Sequence, residues 1–351
     1  MSHELEGPVS RNEFMSRAGR VGIEFFRKGV RTVIRVMRLG HGHPSTVENT
    51  PNVSRTLEPD SEPSNSPTMT ATEIVRFLIE PGVPDITGDL KELDIDPILF
   101  GSSGYLYHAQ YKEVDVAIRT VRIFVVLNST NQHRLKAAAQ ELLDWLQLKH
   151  DNVVPLLGVA SFHGQPSLVS PWMNCGLVDF RRSQSSFDWL KMCKQLSSAI
   201  AYLHSRSVVH GDIRAQNILV SDDGNAKVAG FGNSVLQEFT SPYRGGDSFT
   251  ALSMRWTAPE ILEGSTSKSQ EADTYALGMT ILEITTGRVP FDDIRSDHEV
   301  ILKAMARSIP SRPSELDSLD QLWALLIQCW SSDSKARPKA DQVLNVLENI
   351  Y

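Results

Sequence analysis

Asp212 and Asn217 stand five residues apart in the stretch Val208-Val209-His210-Gly211-Asp212-Ile213-Arg214-Ala215-Gln216-Asn217-Ile218-Leu219. On a loop, such a pair can accept a proton from a hydroxyl and hold a metal ion. The plain alternative is an Asx turn that ends the preceding helix. The flanks say which elements must position the pair. A helical period over Phe187–Arg206 precedes it. A strand (Ile218–Val220), an Asp222-Asp223-Gly224-Asn225 turn and a second strand (Lys227–Ala229) follow.

Upstream, Ile98–Tyr107 and Val114–Val126 are β-branched and aromatic and predict strands. Leu135, Ala138, Leu142, Trp145 and Leu146 then recur at threes and fours, which predicts an amphipathic helix. Val153–Phe162 and Pro166–Pro171 predict two more strands. Downstream, Glu271–Thr286, His298–Ser308, Leu319–Trp330 and Ala340–Asn349 predict helices. The pattern is therefore a small β-rich lobe followed by a larger helical one.

Composition divides the 351 residues further. Residues 1–39 form a basic segment, and residues 40–70 are rich in Pro, Ser and Thr and read as a flexible linker. Residues 71–95 read as a lead-in helix and strand, and 96–351 as the main domain, with lobes 96–173 and 174–351. Residues 1–40 hold eight Lys/Arg against four Asp/Glu, a net of +4. The rest hold 27 against 38, a net of −11, which excludes nucleic acid as a partner of the large part. Cys175, Cys193 and Cys329 form no C-x-x-C pair, which argues against a disulfide scaffold or a cysteine zinc site and for a reducing, cytoplasmic location. Met1–Gly7 lacks an apolar core and does not read as a secretory signal.

In this setting His210–Asn217 resembles the H-R-D-L-x-x-x-x-N catalytic loop of the eukaryotic protein kinase family, with Gly211 in place of Arg. Ala258-Pro259-Glu260, Asp273-Thr274-Tyr275-Ala276-Leu277-Gly278, Cys329-Trp330 and Arg337-Pro338 resemble later family landmarks, in family order. The phrasing is similar to the tyrosine-kinase-like branch. The resemblance covers about residues 88–350. It implies an α+β bilobal protein kinase-like fold, and an Arg337–Glu260 pair.

The same resemblance exposes departures. The phosphate-covering loop keeps Gly101 and Gly104 but has Leu99 at the first glycine. The V-A-I-K strand reads Val116-Ala117-Ile118-Arg119, so the phosphate-gripping lysine is an arginine, larger and forked. Glu141 matches the helix glutamate that pairs with that cation. Where D-F-G is expected stands Gly230-Phe231-Gly232, with Phe231 suited to an internal stack beside His210 and Trp145. The metal-holding aspartate is gone, which leaves Asn217 as a weak metal ligand or none and puts Mg²⁺ in doubt. The adenine slot is better kept: Leu106, Ala117 and Leu219 match the residues that sandwich the base. Ser170 stands at the gatekeeper, Pro171 offers a hinge carbonyl and Met173 follows. ATP is the cofactor these residues imply. The catalytic set is thus Asp212 and Asn217, retained, with Arg119, Glu141 and Gly230 at altered positions.

Losing one preorganised electrostatic group costs about 10²–10³ in rate. The resemblance with these losses implies a pseudokinase, a scaffold or allosteric signalling partner of other proteins. The alternatives are an active Ser/Thr or Tyr kinase with unusual lysine and metal handling, and a membrane-directed effector regulated by its kinase-like region. The last rests on residues 13–39. On a helical wheel Arg17, Arg20, Arg27, Lys28, Arg31, Arg35 and Arg38 form a basic stripe beside a wide apolar face. That suits peripheral attachment to an anionic membrane, or docking on an acidic protein surface.

Overall fold

Residues 69–350 are described in a computed structural model, apart from 95, 102, 103, 122–124, 126–128, 231–250 and 267. The basic segment 13–39, the linker up to residue 68, and Phe231 with its proposed stack lie outside the described residues.

The small lobe begins with helix α1 (Ala71–Ile79). Thr70 and Glu73 cap it reciprocally, the Thr70 hydroxyl accepting from the Glu73 N–H at 3.3 Å and the Thr70 N–H donating to Glu73 Oε2 at 2.7 Å. Its apolar stripe, Ile74, Val75 and Leu78, is buried in one cluster with Leu135, Ala138 and Leu142 of helix α2 (Ser129–Gln147). A strand β1 (Leu90–Glu92) follows and pairs with β3 (Gly104–Tyr111). The lead-in helix and strand thus pack against the small lobe.

The strand expected over Ile98–Tyr107 is a hairpin of two, β2 (Leu99–Gly101) and β3, with Gly101 paired to Gly104. Gly104 is required there by close approach: a Cβ would lie 1.8 Å from the Thr120 carbonyl oxygen. Strand β4 (Val114–Thr120) pairs with β3 and with β6 (Gln165–Pro171), and β6 pairs with β5 (Gly158–Phe162), all antiparallel. The strand expected over Val153–Phe162 starts only at Gly158. Before it, the Val154 N–H donates to the Val228 carbonyl and Trp145 Nε1 donates to the Val154 carbonyl at 2.8 Å. The first bond ties Val154 to the large lobe and the second to α2, so neither is a ladder bond to β6.

The large lobe holds a three-stranded sheet, β7 (Cys175–Gly176), β8 (Ile218–Val220) and β9 (Ala226–Val228), in that order. Its helices are α3 (Leu177–Ser183), α4 (Trp189–Ser205), α5 (Pro259–Leu262), α6 (Gln270–Thr286), α7 (Asp297–Met305), α8 (Asp320–Cys329) and α9 (Ala340–Glu348). Five of them lie within three residues of the sequence expectation. Helix α6 is buried on every side from Asp273 to Thr285, so it has no solvent-facing stripe and serves as the axis of the lobe. Ser269 caps its start, and Gly287, left-handed at φ 75°, ends it. Gly278 lets α8 approach: a Cβ there would sit 2.7 Å from Cys329 Cβ. Arg337 makes the expected fork with Glu260, at 2.5 and 2.9 Å, and also donates to the Glu271 and Ser331 carbonyls. Burial pushes the Glu260 carboxyl up and Arg337 pulls it down. The arginine prevails, and the pKa lies below the usual value.

Candidate functional site

Loop 210–217 hangs from α6 by side chains on successive turns. Asp273 accepts the His210 N–H and the Gly211 N–H, each at 2.8 Å, and lies 3.0 Å from His204 Nε2. One turn pair further on, Thr280 donates to the Ile213 carbonyl at 3.1 Å. Glu283 accepts the Ala215 N–H at 3.1 Å and Trp256 Nε1–H at 3.0 Å, both on Oε2. Burial pushes the Glu283 carboxyl up to about 7, against those two bonds and the charge of Arg214. Offsets of seven and three place all three on one helix face. The loop is therefore set by a rigid helix.

Within the loop, the Asp212 N–H donates to His210 Nδ1 at 3.2 Å, so His210 Nε2 carries the hydrogen that the Ala229 carbonyl accepts at 3.0 Å. Gly211 is left-handed (φ 77°), and a Cβ would lie 2.6 Å from the Lys268 side chain. The Asp212 carboxylate is heavily engaged. Oδ2 accepts Asn217 Nδ2 at 2.7 Å; Oδ1 accepts the Ser253 hydroxyl at 3.1 Å and sits 3.3 Å from Arg214 Nε. Asn217 Nδ2 also donates to the Asp212 carbonyl at 2.8 Å. Asp212 and Asn217 are thus together, as their spacing suggests, with the asparagine turned toward the aspartate.

A cleft of about 420 Å³ opens between the lobes, a size that suits a small organic ligand. Strand alternation builds its roof. Along β4, Val116 and Ile118 point into the small lobe's core, so Ala117 and Arg119 share the opposite, cleft face. Register aligns Leu106, Arg119 and Leu168 in one row and His108, Ala117 and Ser170 in the next. All six line the cleft, as do Met173, Leu219 and Gly230. Gly101 and Gly104 close the hairpin and Glu141 is exposed on α2; none of the three is among the described lining residues.

Pro171 fits the cleft edge for a backbone reason. Trp172 N–H bonds to the Asp115 carbonyl, so the next pair, Val116 and Pro171, is a non-hydrogen-bonded one. The missing N–H of Pro171 thus costs no ladder bond. Its carbonyl points away from β4, on the side where β5 has already ended at Gly158. The hinge is tied down beyond it: Trp172 packs on His108, Trp172 Nε1 donates to Asn174, and Asn174 Nδ2 donates to Asp222 at 2.8 Å.

Arg119 stands where the cleft meets the loop. Burial among protein atoms lowers its pKa from the ordinary arginine value; Asp212 opposes the drop and Arg214 adds to it. The side chain keeps surface toward the cavity, and an arginine stays charged at neutral pH regardless. Gly230 contributes no side-chain oxygen. Its φ is 98°, and a Cβ would lie 3.0–3.2 Å from the Asn217 side chain. Among the described residues no group of three or more His, Cys, Asp or Glu could hold a metal ion. Position 230 supplies no oxygen and Asp212 Oδ2 accepts from Asn217 Nδ2, so the described residues here offer few of the several oxygen ligands that a hard divalent cation takes.

Reasoning from sequence missed His108 and Leu168, although stepping by two from Leu106 finds the first. It also missed Arg214 and Ser253 as partners of Asp212. Arg214 is visible in the loop; Ser253, 41 residues on, carries no local signal.

A family model described as "Protein tyrosine and serine/threonine kinase" matches residues 96–347. The chain is 26% identical over 269 residues to the serine/threonine/tyrosine-protein kinase HT1 of Arabidopsis thaliana, covering 75% of this chain and 67% of that one. It is 25% identical over 271 residues to the Arabidopsis serine/threonine-protein kinase STY17, covering 45% of that chain. With human mitogen-activated protein kinase kinase kinase 7 it shares 26% over 277 residues, 42% of that chain. The chain thus spans between two fifths and two thirds of the length of these relatives. Two lobes, an interlobe cleft and an Asp-Asn loop hung from a buried helix agree with that match, and the chain belongs to the protein tyrosine and serine/threonine kinase family, with the bilobal protein kinase fold.

Proposed function

We propose that this protein is a pseudokinase, a kinase-fold scaffold or allosteric signalling partner with impaired or absent phosphoryl transfer. The observation that carries the reading is the pairing of Gly230 with Asn217. Position 230 offers no carboxylate, and its left-handed backbone and the Asn217 side chain leave poor room for one. Phosphoryl transfer depends on positioning and on cations held at the phosphates. Here Asp212 is committed to Asn217, Ser253 and Arg214, which supports a structural role for the carboxylate. Leu106, Ala117 and Leu219 could sandwich an adenine, with the Pro171 carbonyl at the edge, so the cleft supports nucleotide binding as the stabilising input.

The competing reading is an active kinase. It draws support from relatives named as kinases and from the retained Asp212 and Asn217. The two differ in one assay. The full chain, incubated with γ-labelled ATP, Mg²⁺ or Mn²⁺ and mixed peptide acceptors, should transfer no more label than Asp212→Asn. Transfer that Asp212→Asn removes would establish the active reading.

A further inference from the structure

The hinge side of the cleft opening is an uncovered strip of apolar side chains set between carboxylates. Leu93, just past β1, and Leu99, on β2, are each 42% exposed. Leu99 lines the opening together with His108 and with Trp172, which is half-buried and packs on that histidine. Carboxylates from both lobes rim the strip. Asp94 and Asp115 lie 3.5 and 3.3 Å from the two nitrogens of His108, two acids on one imidazole. Across the opening, Asp179 of α3 has Arg182 at 3.6 Å, an exposed pair that contributes little. Asp222 accepts from Asn174 just past the hinge. Among the described lining residues Arg119, on the roof strand, is the only lysine or arginine. Exposed apolar side chains gathered inside a polar rim mark an interaction surface, and the sign of this rim calls for a basic partner.

We propose that the basic amphipathic segment 13–39 of this same chain docks across this rim, with its arginines on Asp94, Asp115 and Asp179 and its apolar side chains on Leu93, Leu99 and Trp172. Residues 13–39 hold seven Lys/Arg against two Asp/Glu, a net of +5, whereas the chain beyond residue 40 carries −11. Opposite charges on one chain draw the two parts together. The tether reaches. The described chain begins at Met69, whose N–H donates to the Val125 carbonyl of the small lobe, and α1 packs beside β5 and β6. From β5 to β1 the sheet is four strand spacings wide, about 20 Å. As a coil, the chain between residues 39 and 69 spans about 30 Å. Tethering supplies the segment at about millimolar effective concentration, so a weak contact suffices. A segment seated there covers the opening of the cleft. The inference holds whether or not the cleft takes a nucleotide.

Amide hydrogen exchange of the full chain, read by mass spectrometry, tests the proposal. Arg27→Glu combined with Arg31→Glu should speed exchange over residues 89–99 at least fivefold. For the wild type, 1 M NaCl should do the same, because screening then acts within about 3 Å. Asp94→Lys combined with Asp179→Lys, checked for an unchanged melting temperature, should speed exchange over residues 13–39 at least fivefold. All four changes together swap the charges and should restore protection on both sides. Exchange over residues 89–99 that ignores both the segment's charges and the salt overturns the proposal. Protection that rises with protein concentration places the contact between two copies and also overturns it. Protection of residues 13–39 that appears only on phosphatidylserine vesicles makes the segment a membrane anchor and overturns it as well.

Discussion

Replacing Gly230 by aspartate restores the family's D-F-G letters but should not restore a site. The residue sits at φ 98°, and left-handed backbone costs an L-residue about 1–2 kcal/mol. The new Cβ would stand 3.0 Å from Asn217 Cγ and 3.2 Å from its Nδ2 and Oδ1, so the asparagine must give way. Its amide bonds to the Asp212 carbonyl and carboxylate, and one strained hydrogen bond adds about 1 kcal/mol. The sum is about 2–3 kcal/mol. For the roughly 250 described residues, with unfolding entropy of about 2.1 cal/mol/K per residue, this lowers the melting temperature by about 4–6 °C. Scanning calorimetry of the wild type, Gly230→Ala and Gly230→Asp measures it. Alanine should account for most of the loss, because backbone and contact, and not charge, are the cause. Mg²⁺ should not rescue Gly230→Asp. An aspartate variant as stable as the wild type, or one stabilised by Mg²⁺ alone, would refute the reasoning.

Other expectations follow from the same framework. Glu283, with its pKa raised from 4.5 to about 7, favours the fold when protonated. Its contribution is fully present below pH about 4.5 and is lost as pH rises through about 7, a span worth about 3 kcal/mol. Glu283→Gln keeps an oxygen for Ala215 and Trp256 and should remove that slope; parallel stability–pH curves for the two proteins would count against it. Arg337→Ala leaves the Glu260 carboxylate half-buried and unpaired, and should cost about 3–5 kcal/mol in denaturant unfolding; a loss below 1 kcal/mol would show the fork to be dispensable. Thr70→Ala removes the side-chain half of the capping box and should cost about 1 kcal/mol, with faster hydrogen exchange confined to α1 and its neighbour α2. Exchange that rises across the whole chain would mean that α1 is no separate unit.

Much of the fold was legible because its signals are local. Leu135, Ala138 and Leu142 announce α2 by period, and the expected helix Glu271–Thr286 matches α6 to within a residue. Strand ends were less legible, since long-range bonds decide them. Nothing near Val153 reveals that Val154 will bond to Val228, 74 residues away. The cleft was half legible. Ala117 and Arg119 were reached through the resemblance to the V-A-I-K strand, whereas the row joining Leu106, Arg119 and Leu168 depends on register between three strands. Least legible was the state of Asp212. The sequence shows a carboxylate on a loop; that Asn217, Ser253 and Arg214 converge on it is a product of tertiary packing.

The most direct test of the account is a single-turnover measurement. Full chain in excess over γ-labelled ATP, with Mg²⁺ or Mn²⁺, is followed for label on protein, on peptide and as free phosphate. Kinases turn over at about 1–100 per second, and each missing electrostatic group costs about 10²–10³. The account predicts a transfer rate indistinguishable from that of Asp212→Asn under every metal. A rate of even 0.1 per second that disappears in Asp212→Asn would contradict it.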